Sequence, residues 1–484
     1  MNVAESDLRE RTDELAEIER LESLLATQRE AFLRDPAPSY EQRMENLARL
    51  KRMIVDHQQD IVDAVCADFE GGHSRHEAVF AEIFTSVNNL KYTMKRLRSW
   101  MRPQRRHVDL TLQPAKAKVL FQPKGVVGII SPWNYPAYLA FAPLTAALAA
   151  GNRAILKPSE ITPHTSEAMK QLLAQIFDEE LVAVVTGGPR VGEAFSKLPW
   201  DHLFFTGSTS LGRLIMKNAA DNLVPVTLEL GGKSPTIIHR DYPVAKAAKR
   251  IVSGKYLNGG QTCVAPDYLF VHRDRVQEMV DALREEVARA YPRIFDNPDY
   301  TGIVNERHFN RLQSYLEDAR DKGAEIIEIN PAGETPPPDT RKIAPTILLN
   351  VNDDMRVMQD EIFGPLLPIL PYDSLEDAIA FVNRRPRPLA LYYFDDDAYR
   401  AERVLERTVS GNACINETVM HVATDDLPFG GIGESGLGAY HGREGFETFS
   451  HKKGILVKGR FNSANFIGPP YDAKMDRILK LLVR

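Results

Sequence analysis

The sequence predicts an α/β protein whose main body is a doubly wound parallel sheet. Between residues 126 and 230, short and continuously apolar runs alternate with stretches of helical periodicity. Strands that are apolar on both faces belong to sheets covered on both sides, and alternation with helices makes the sheet parallel. The 484 residues are 43% hydrophobic and 26% charged, enough material for large cores and about three domains. No internal repeat or low-complexity tract interrupts the pattern.

Residues 8–33 are helical by pattern, with Leu15, Ile18, Leu21, Leu25 and Phe32 recurring among Glu and Arg. The run is too short for a coiled coil and is expected to lie against the main body as a helix. Two further helical regions cover residues 42–67 and 76–100. Residues 106–122 alternate apolar and polar side chains around a proline, which reads as an extended hairpin. VVGII (126–130) is then a buried strand, and 135–150 a helix closed by Gly151-Asn152. RAILK (153–157) is a strand, 165–177 a helix, and LVAVV (181–185) and HLFF (202–205) are strands. A helix begins near Ser208, and VPVTLEL (224–230) closes the series. A second alternating region spans about 245–409, with a Pro-rich loop at 330–341 directly before the strand-like PTILLNV, and the tail from Thr424 is Gly-rich and irregular. Ligands of doubly wound sheets sit beyond the carboxyl ends of the strands, so the residues just after each strand are the ones to examine.

Lys and Arg number 60 against 66 Asp and Glu, a formal charge of −6. That balance offers no electrostatic footprint for a nucleic-acid backbone. Cys66, Cys263 and Cys414 are too few and too scattered for a disulfide framework or a zinc site. His73 and His76 stand three apart without a third ligand, and surface histidines fit that pattern better than a metal. The N-terminal residues lack the basic-then-apolar plan of a signal peptide, and no run approaches the ~18 apolar residues of a spanning helix. The expectation is a cytoplasmic protein with no metal, no membrane anchor and no nucleic-acid partner.

Several motif matches fail on context. Gly431-Ile-Gly433-Glu-Ser-Gly436 has dinucleotide spacing but follows no strand and opens no helix. Gly232-Lys233-Ser234 looks like the end of a phosphate loop, but the earlier glycine it requires is Thr227. Ser435 lies in GESGL, which misses the last glycine of a nucleophile elbow. What survives is LELGGKSP (228–235) and, 34 residues beyond Glu229, the cysteine of NGGQTC. A lone cysteine is usually a small buried hydrophobe. Two features favour reactivity at Cys263: a carboxylate, Glu229, at the end of a buried strand where desolvation would make it a usable base, and an amide, Asn134, after another strand end in SPWNYP.

ISPWNYP, LKPSE, FTGSTSLG, LELGGKSP, NGGQTC, EIFGP and LPFGGIGESGLGAYHG occur in this order, and together they resemble the aldehyde dehydrogenase superfamily over about residues 40–451. RRPRPLALYYF (384–394) and YHGREGFETFSH (440–451) are similar to its class-3 branch, and HVATDDLPFGG resembles the bacterial coniferyl aldehyde dehydrogenases within it. The resemblance implies Cys263 as nucleophile, Glu229 as base for the deacylating water, and Asn134 with the Cys263 backbone N–H as donors to the oxyanion. It also implies NAD as cofactor, with NADP possible. The residues it assigns to the cofactor are Ile130, Trp133 and Leu230; Gly207, Ser208 and Gly212 in a GxxxxG turn at a helix N-terminus; Lys157 and Glu160 at the adenine ribose; and Glu361 and Phe363 at the nicotinamide.

The expected architecture places the NAD(P)-binding domain in 1–105 and 123–228, the catalytic domain in 229–420, and a bridging β unit in 106–122 with 421–484. The expected substrate is a small-molecule aldehyde, aromatic such as coniferyl aldehyde or else medium-to-long aliphatic. A CoA-acylating relative is disfavoured by Glu229, and a silent scaffold by Cys263, Glu229 and Asn134 together. Tyr135, Tyr256, Tyr268 and His421 are candidate tunnel residues. The hairpin, about residues 107–121, offers strand edges that natural proteins rarely leave uncovered, and the class-3 resemblance implies that a second identical chain covers them, in a homodimer.

Overall fold

In the computed structural model, which describes residues 3–460 and 469–483, three sheets organise the chain. The first is centred on Val126–Ile130, all five residues buried. Arg153–Lys157 and then Val182–Val184 add on one side, and His202–Thr206 and then Val226–Glu229 on the other, all parallel. The chain therefore leaves the centre in one direction and returns to build in the other, which creates a topological switch point between Val126–Ile130 and His202–Thr206. The short strand Gly436–Leu437 closes the far edge antiparallel to Val226–Glu229, pairing Gly436 with Glu229.

The second sheet has seven strands in the order Glu325–Glu328, Thr346–Leu349, Leu366–Tyr372, Tyr268–His272, Pro235–Ile238, Ala390–Phe394 and Asn412–Ile415. Only the first is antiparallel to its neighbour. In the third sheet, Gln104–Arg106 and Ser450–Lys458 flank Ala115–Pro123, both antiparallel to it.

Most sequence elements appear where their periodicity puts them, but the tail expected to be irregular from Thr424 holds the helix Gly442–Thr448 and the strand Ser450–Lys458, and three other regions differ. Region 42–67 is two helices, Tyr40–Asp56 and Gln58–Asp68, which meet at His57. Region 76–100 begins as a single helical turn, passes through a π-helical stretch at Val79–Phe84 and continues as Thr85–Trp100. The helix expected from residue 135 starts at Tyr138. Tyr135 precedes a proline, and clash with the proline ring disfavours helical backbone there.

The N-terminal helix Val3–Arg34 buries Leu21, Leu24 and Leu25 on the first sheet, and Gln28 donates to the Ala154 carbonyl at 3.1 Å. Asn152 fastens three elements together. Its side-chain oxygen accepts the Lys124 and Gly125 N–H groups at 2.7 and 2.9 Å, while its amide donates to the Phe449 carbonyl at 2.8 Å. This buried bonding ties the start of the central strand to the C-terminal segment, and so keeps the third sheet beside the first. Among the described residues, no helix is long and apolar enough to cross a membrane.

Candidate active site

The segments after the two strands at the switch point face one cleft. Pro132, Trp133 and Asn134 follow Val126–Ile130, and Gly207 and Ser208 follow His202–Thr206. Ser208 caps the helix Thr209–Ala220 by accepting the Leu211 N–H, so a helix N-terminus opens onto the cleft. Leu230, Gly231, Glu361, Phe363 and Cys263 complete a cavity of about 700 Å³. A second cavity of about 660 Å³, with an almost wholly apolar wall, reaches Cys263 from the other side. Its rings are Phe80, Tyr135, Tyr138, Phe429 and Tyr440. Cys263 and Leu139 belong to both walls.

Cys263 is presented by a loop in unusual backbone geometry. Asn258, Gly259 and Gly260 have φ of 54°, 61° and 79°. A Cβ on Gly260 would fall 2.4 Å from the Gly364 carbonyl oxygen, so only glycine fits. Gln261 locks the loop: its amide donates to the Asn258 and Gly302 carbonyls, both at 2.9 Å, and its oxygen accepts the Val304 N–H at 3.0 Å. Asn134 joins the same network, its Nδ2 donating to the Gln261 carbonyl at 3.1 Å while its own carbonyl accepts from Asn258 at 2.8 Å.

Glu229 ends the strand Val226–Glu229, is buried, and has no hydrogen-bond partner on either carboxylate oxygen. Burial pushes this carboxyl well above the usual carboxylate range. The Cys263 thiol is pushed up to about 12, first by burial and then by the nearby Glu361 and Glu229 carboxyls. Glu361 itself is pushed up to about 8 by burial, with Asp267 adding to the effect. One Glu361 oxygen has no partner. The carboxyl lies so close over Gly231 that a Cβ there would come 2.2 Å from it.

Phe363 is held at φ 50° and meets Trp133 edge-on at 5.3 Å. Arg311 fixes this turn by donating to the Glu361 and Phe363 carbonyls at 3.4 and 3.3 Å, and His308 packs on Trp133 at 4.7 Å.

Of the residues singled out in the sequence, Trp133, Asn134, Gly207, Ser208, Leu230, Cys263, Glu361 and Phe363 share the first cavity. Ile130 packs in the core at its strand end. Gly212 allows its helix to lie against Leu230, whose side chain a Cβ would meet at 2.6 Å. Lys157 and Glu160 form an ion pair at 2.7 Å beyond the neighbouring strand. Burial raises the Glu160 carboxyl, but the Lys157 ammonium outweighs it and holds the group below its ordinary value.

Among the tunnel candidates, Tyr135 lines the apolar cavity and three do not. Tyr256 is fully buried at the end of its helix, and Tyr268 packs edge-on against Phe270 inside the second sheet. His421 packs at a tilt against Phe429, 5.9 Å between ring centres, and meets the Cys414 sulfur at 3.2 Å. Ser435 and its glycines form a turn whose carbonyl accepts the Leu230 N–H at 3.1 Å, pinning the residue after Glu229. His76 pairs with Asp299 at 2.8 Å. His308 and Arg311 carry no signal in the sequence because they lie on a helix, away from the strand ends.

A model described as the aldehyde dehydrogenase family matches residues 8–455. A Pseudomonas aeruginosa protein named probable coniferyl aldehyde dehydrogenase is 54% identical over 469 residues, 97% of each chain. Among solved structures, the substrate-bound state of Staphylococcus aureus AldH matches with a TM-score of 0.89 at 39% identity, covering 96% of this chain and 99% of that one. A Mycobacterium tuberculosis aldehyde dehydrogenase complexed with NAD+ matches with a TM-score of 0.81 at 29% identity, covering 90% of each. With a family model spanning nearly its whole length and a relative of this identity, the chain belongs to the aldehyde dehydrogenase family.

Proposed function

We propose that the protein oxidises an aromatic aldehyde, coniferyl aldehyde or a close analogue, to its acid by covalent catalysis at Cys263 with NAD as oxidant. The observation that carries this reading is the meeting of two unlike cavities at one sulfur. The apolar, ring-lined cavity suits the aldehyde, and the Pseudomonas aeruginosa relative is named for coniferyl aldehyde. Medium or long aliphatic aldehydes are the alternative the same apolar wall allows.

The other cavity has features that fit a nicotinamide dinucleotide. A helix N-terminus at Gly207 and Ser208 suits the pyrophosphate. Trp133 and Phe363 offer aromatic faces, and the unpartnered Glu361 oxygen over a bare glycine suits a ribose hydroxyl. Glu160 would accept the adenine ribose hydroxyls, with Lys157 beside it. The Mycobacterium tuberculosis neighbour was solved with NAD+. When bound, the nicotinamide supplies the acceptor for the hydride that leaves the aldehyde carbon.

In the proposed chemistry, the Cys263 sulfur adds to the carbonyl carbon and charge develops on its oxygen. One Asn134 amide hydrogen is engaged by the Gln261 carbonyl, and the other is available to that oxygen together with the Cys263 N–H. Removing one such donor typically costs ~10²–10³ in rate. Loss of hydride leaves a thioester, which water must attack. Glu229 is assigned as the base for that water: a carboxyl with a raised pKa is a competent base near neutral pH. A thiol at about 12 also ionises less readily at ambient pH than free cysteine at about 8.5. We therefore assign Glu229 the thiol proton as well, an extension of the deacylation role implied by the sequence. A hydrolytic base at this position also favours the acid as product over a CoA thioester.

Cys263→Ser should abolish hydride transfer, because a hydroxyl is far less ionised than a thiol. Glu229→Gln should give a slow burst of at most one reduced cofactor per site in rapid mixing, then stall with the acyl group on Cys263 by intact mass. Normal steady turnover of Glu229→Gln would remove it from deacylation. Glu160→Gln should weaken NAD and relatively improve NADP by removing repulsion of the 2′-phosphate. An unchanged ratio of kcat/KM for the two cofactors would show that Glu160 does not read the ribose. A homodimer is proposed through the third sheet. Among the described residues its outer strands each pair on one side only, and Leu456 and Val457 are 52% and 47% exposed there. Light scattering at micromolar concentration should give twice the chain mass, and a monomeric mass would overturn the proposal.

A further inference from the structure

One short segment grips both halves of the site. The turn Arg75–Ala78 runs directly into the π-helical stretch Val79–Phe84. Phe80 and Ala81 from this stretch wall the apolar cavity. π-helical turns are rare and recur at functional sites. On either side of Phe80 and Ala81 stand two carboxyls that point inward, Glu77 and Glu82.

Glu77 accepts the Asn258 N–H at 3.1 Å and the Thr301 hydroxyl at 2.6 Å through the same oxygen. Asn258 is the first left-handed residue of the loop that presents Cys263. Glu82 accepts the Tyr138 N–H at 2.5 Å. Tyr138 is the first residue of the helix Tyr138–Ala150, whose own cap position, Ala137, offers no side-chain acceptor. Glu82 therefore caps that helix from another element. The same helix carries Tyr138 and Leu139 into the cavity wall and follows the turn that holds Asn134.

Burial raises both carboxyls, Glu77 to about 7 and Glu82 to about 8, and one Glu82 oxygen has no partner. We propose that residues 77–82 act as a strap that fixes the Cys263 loop relative to the Asn134 turn, with Glu77 and Glu82 as positioning residues for attack on the aldehyde. This rests on the reading of Cys263 as the nucleophile.

The test follows alkylation of Cys263 by iodoacetamide, read by intact mass, beside kcat and KM for cinnamaldehyde and the Kd for NAD. Glu77→Ala should slow both alkylation and kcat by about tenfold or more, since small misplacements of a reacting group cost rate steeply. The Kd for NAD should stay unchanged. Glu77→Gln should recover most of the loss, because its amide oxygen still accepts the Asn258 N–H. Glu82→Ala should raise KM for cinnamaldehyde while Glu82→Gln does not. If Glu77→Ala fails to fold, Thr301→Val, which removes the hydroxyl that orients Glu77, should show a smaller loss in the same direction. Wild-type alkylation and kcat in Glu77→Ala or Thr301→Val, or equal damage from Gln and Ala, overturns the strap. Cys263→Ser run alongside separates the two readings. If it still turns over aldehyde, the nucleophile reading fails. If it is inactive while the strap variants behave as wild type, only the strap fails.

Discussion

Asn258, Gly259 and Gly260 all occupy the left-handed region of backbone space, and the position of Cys263 depends on their staying there. Such conformations persist only when their surroundings over-determine them. Gln261 bonds the loop at three points, Asn258 reaches back to the Asn134 carbonyl, and Glu77 accepts the Asn258 N–H. The loop is also crowded from outside, with the Thr301 and Gly364 carbonyl oxygens lying where side chains on Gly259 and Gly260 would begin. These contacts come from a helical turn and from loops distant in sequence. The sulfur is thus held by the tertiary fold rather than by local propensity.

The second constraint is electrostatic. Glu229, Glu361 and Cys263 are crowded into a buried space where each disfavours ionisation of the sulfur. A resting thiolate would be costly there, and a resting thiol is protected from solution oxidants and stray electrophiles. The same burial that silences the thiol also raises the carboxyls beside it. In the proposed chemistry Glu229 takes the thiol proton as the sulfur adds to the aldehyde.

The doubly wound sheet was legible because its strands are apolar throughout and bounded by glycine and proline, and the strand-end rule led to Asn134, Gly207 and Glu229. Cys263 stood out through its glycine-rich run and the strand-end Glu229 and Asn134, but its role as nucleophile came with the family resemblance, since a lone cysteine carries little local signal. Arg311, His308, Glu77 and Glu82 were not legible. They sit among ordinary charged residues of amphipathic helices, and only tertiary packing turns them inward. Tyr256 and Tyr268 illustrate the opposite error: a tyrosine near the site in sequence is more often core than wall. The short strand Gly436–Leu437 was hidden in an irregular glycine-rich tail because its pairing partner, Val226–Glu229, lies two hundred residues away.

In the proposed chemistry Cys263 rests as a neutral thiol and becomes reactive through a buried carboxyl base. The most direct test is the pH dependence of Cys263 carbamidomethylation without aldehyde, followed by intact mass in the wild type and in Glu229→Gln. Ionisation of Glu229 at rising pH should supply the base, so the wild-type rate should climb from neutral pH with an inflection that Glu229→Gln lacks. Without that base, the variant should react slowly until strongly alkaline pH, because the thiol itself is pushed up to about 12. A fast rate already level at pH 6 in both proteins would reveal a preformed thiolate and contradict the account.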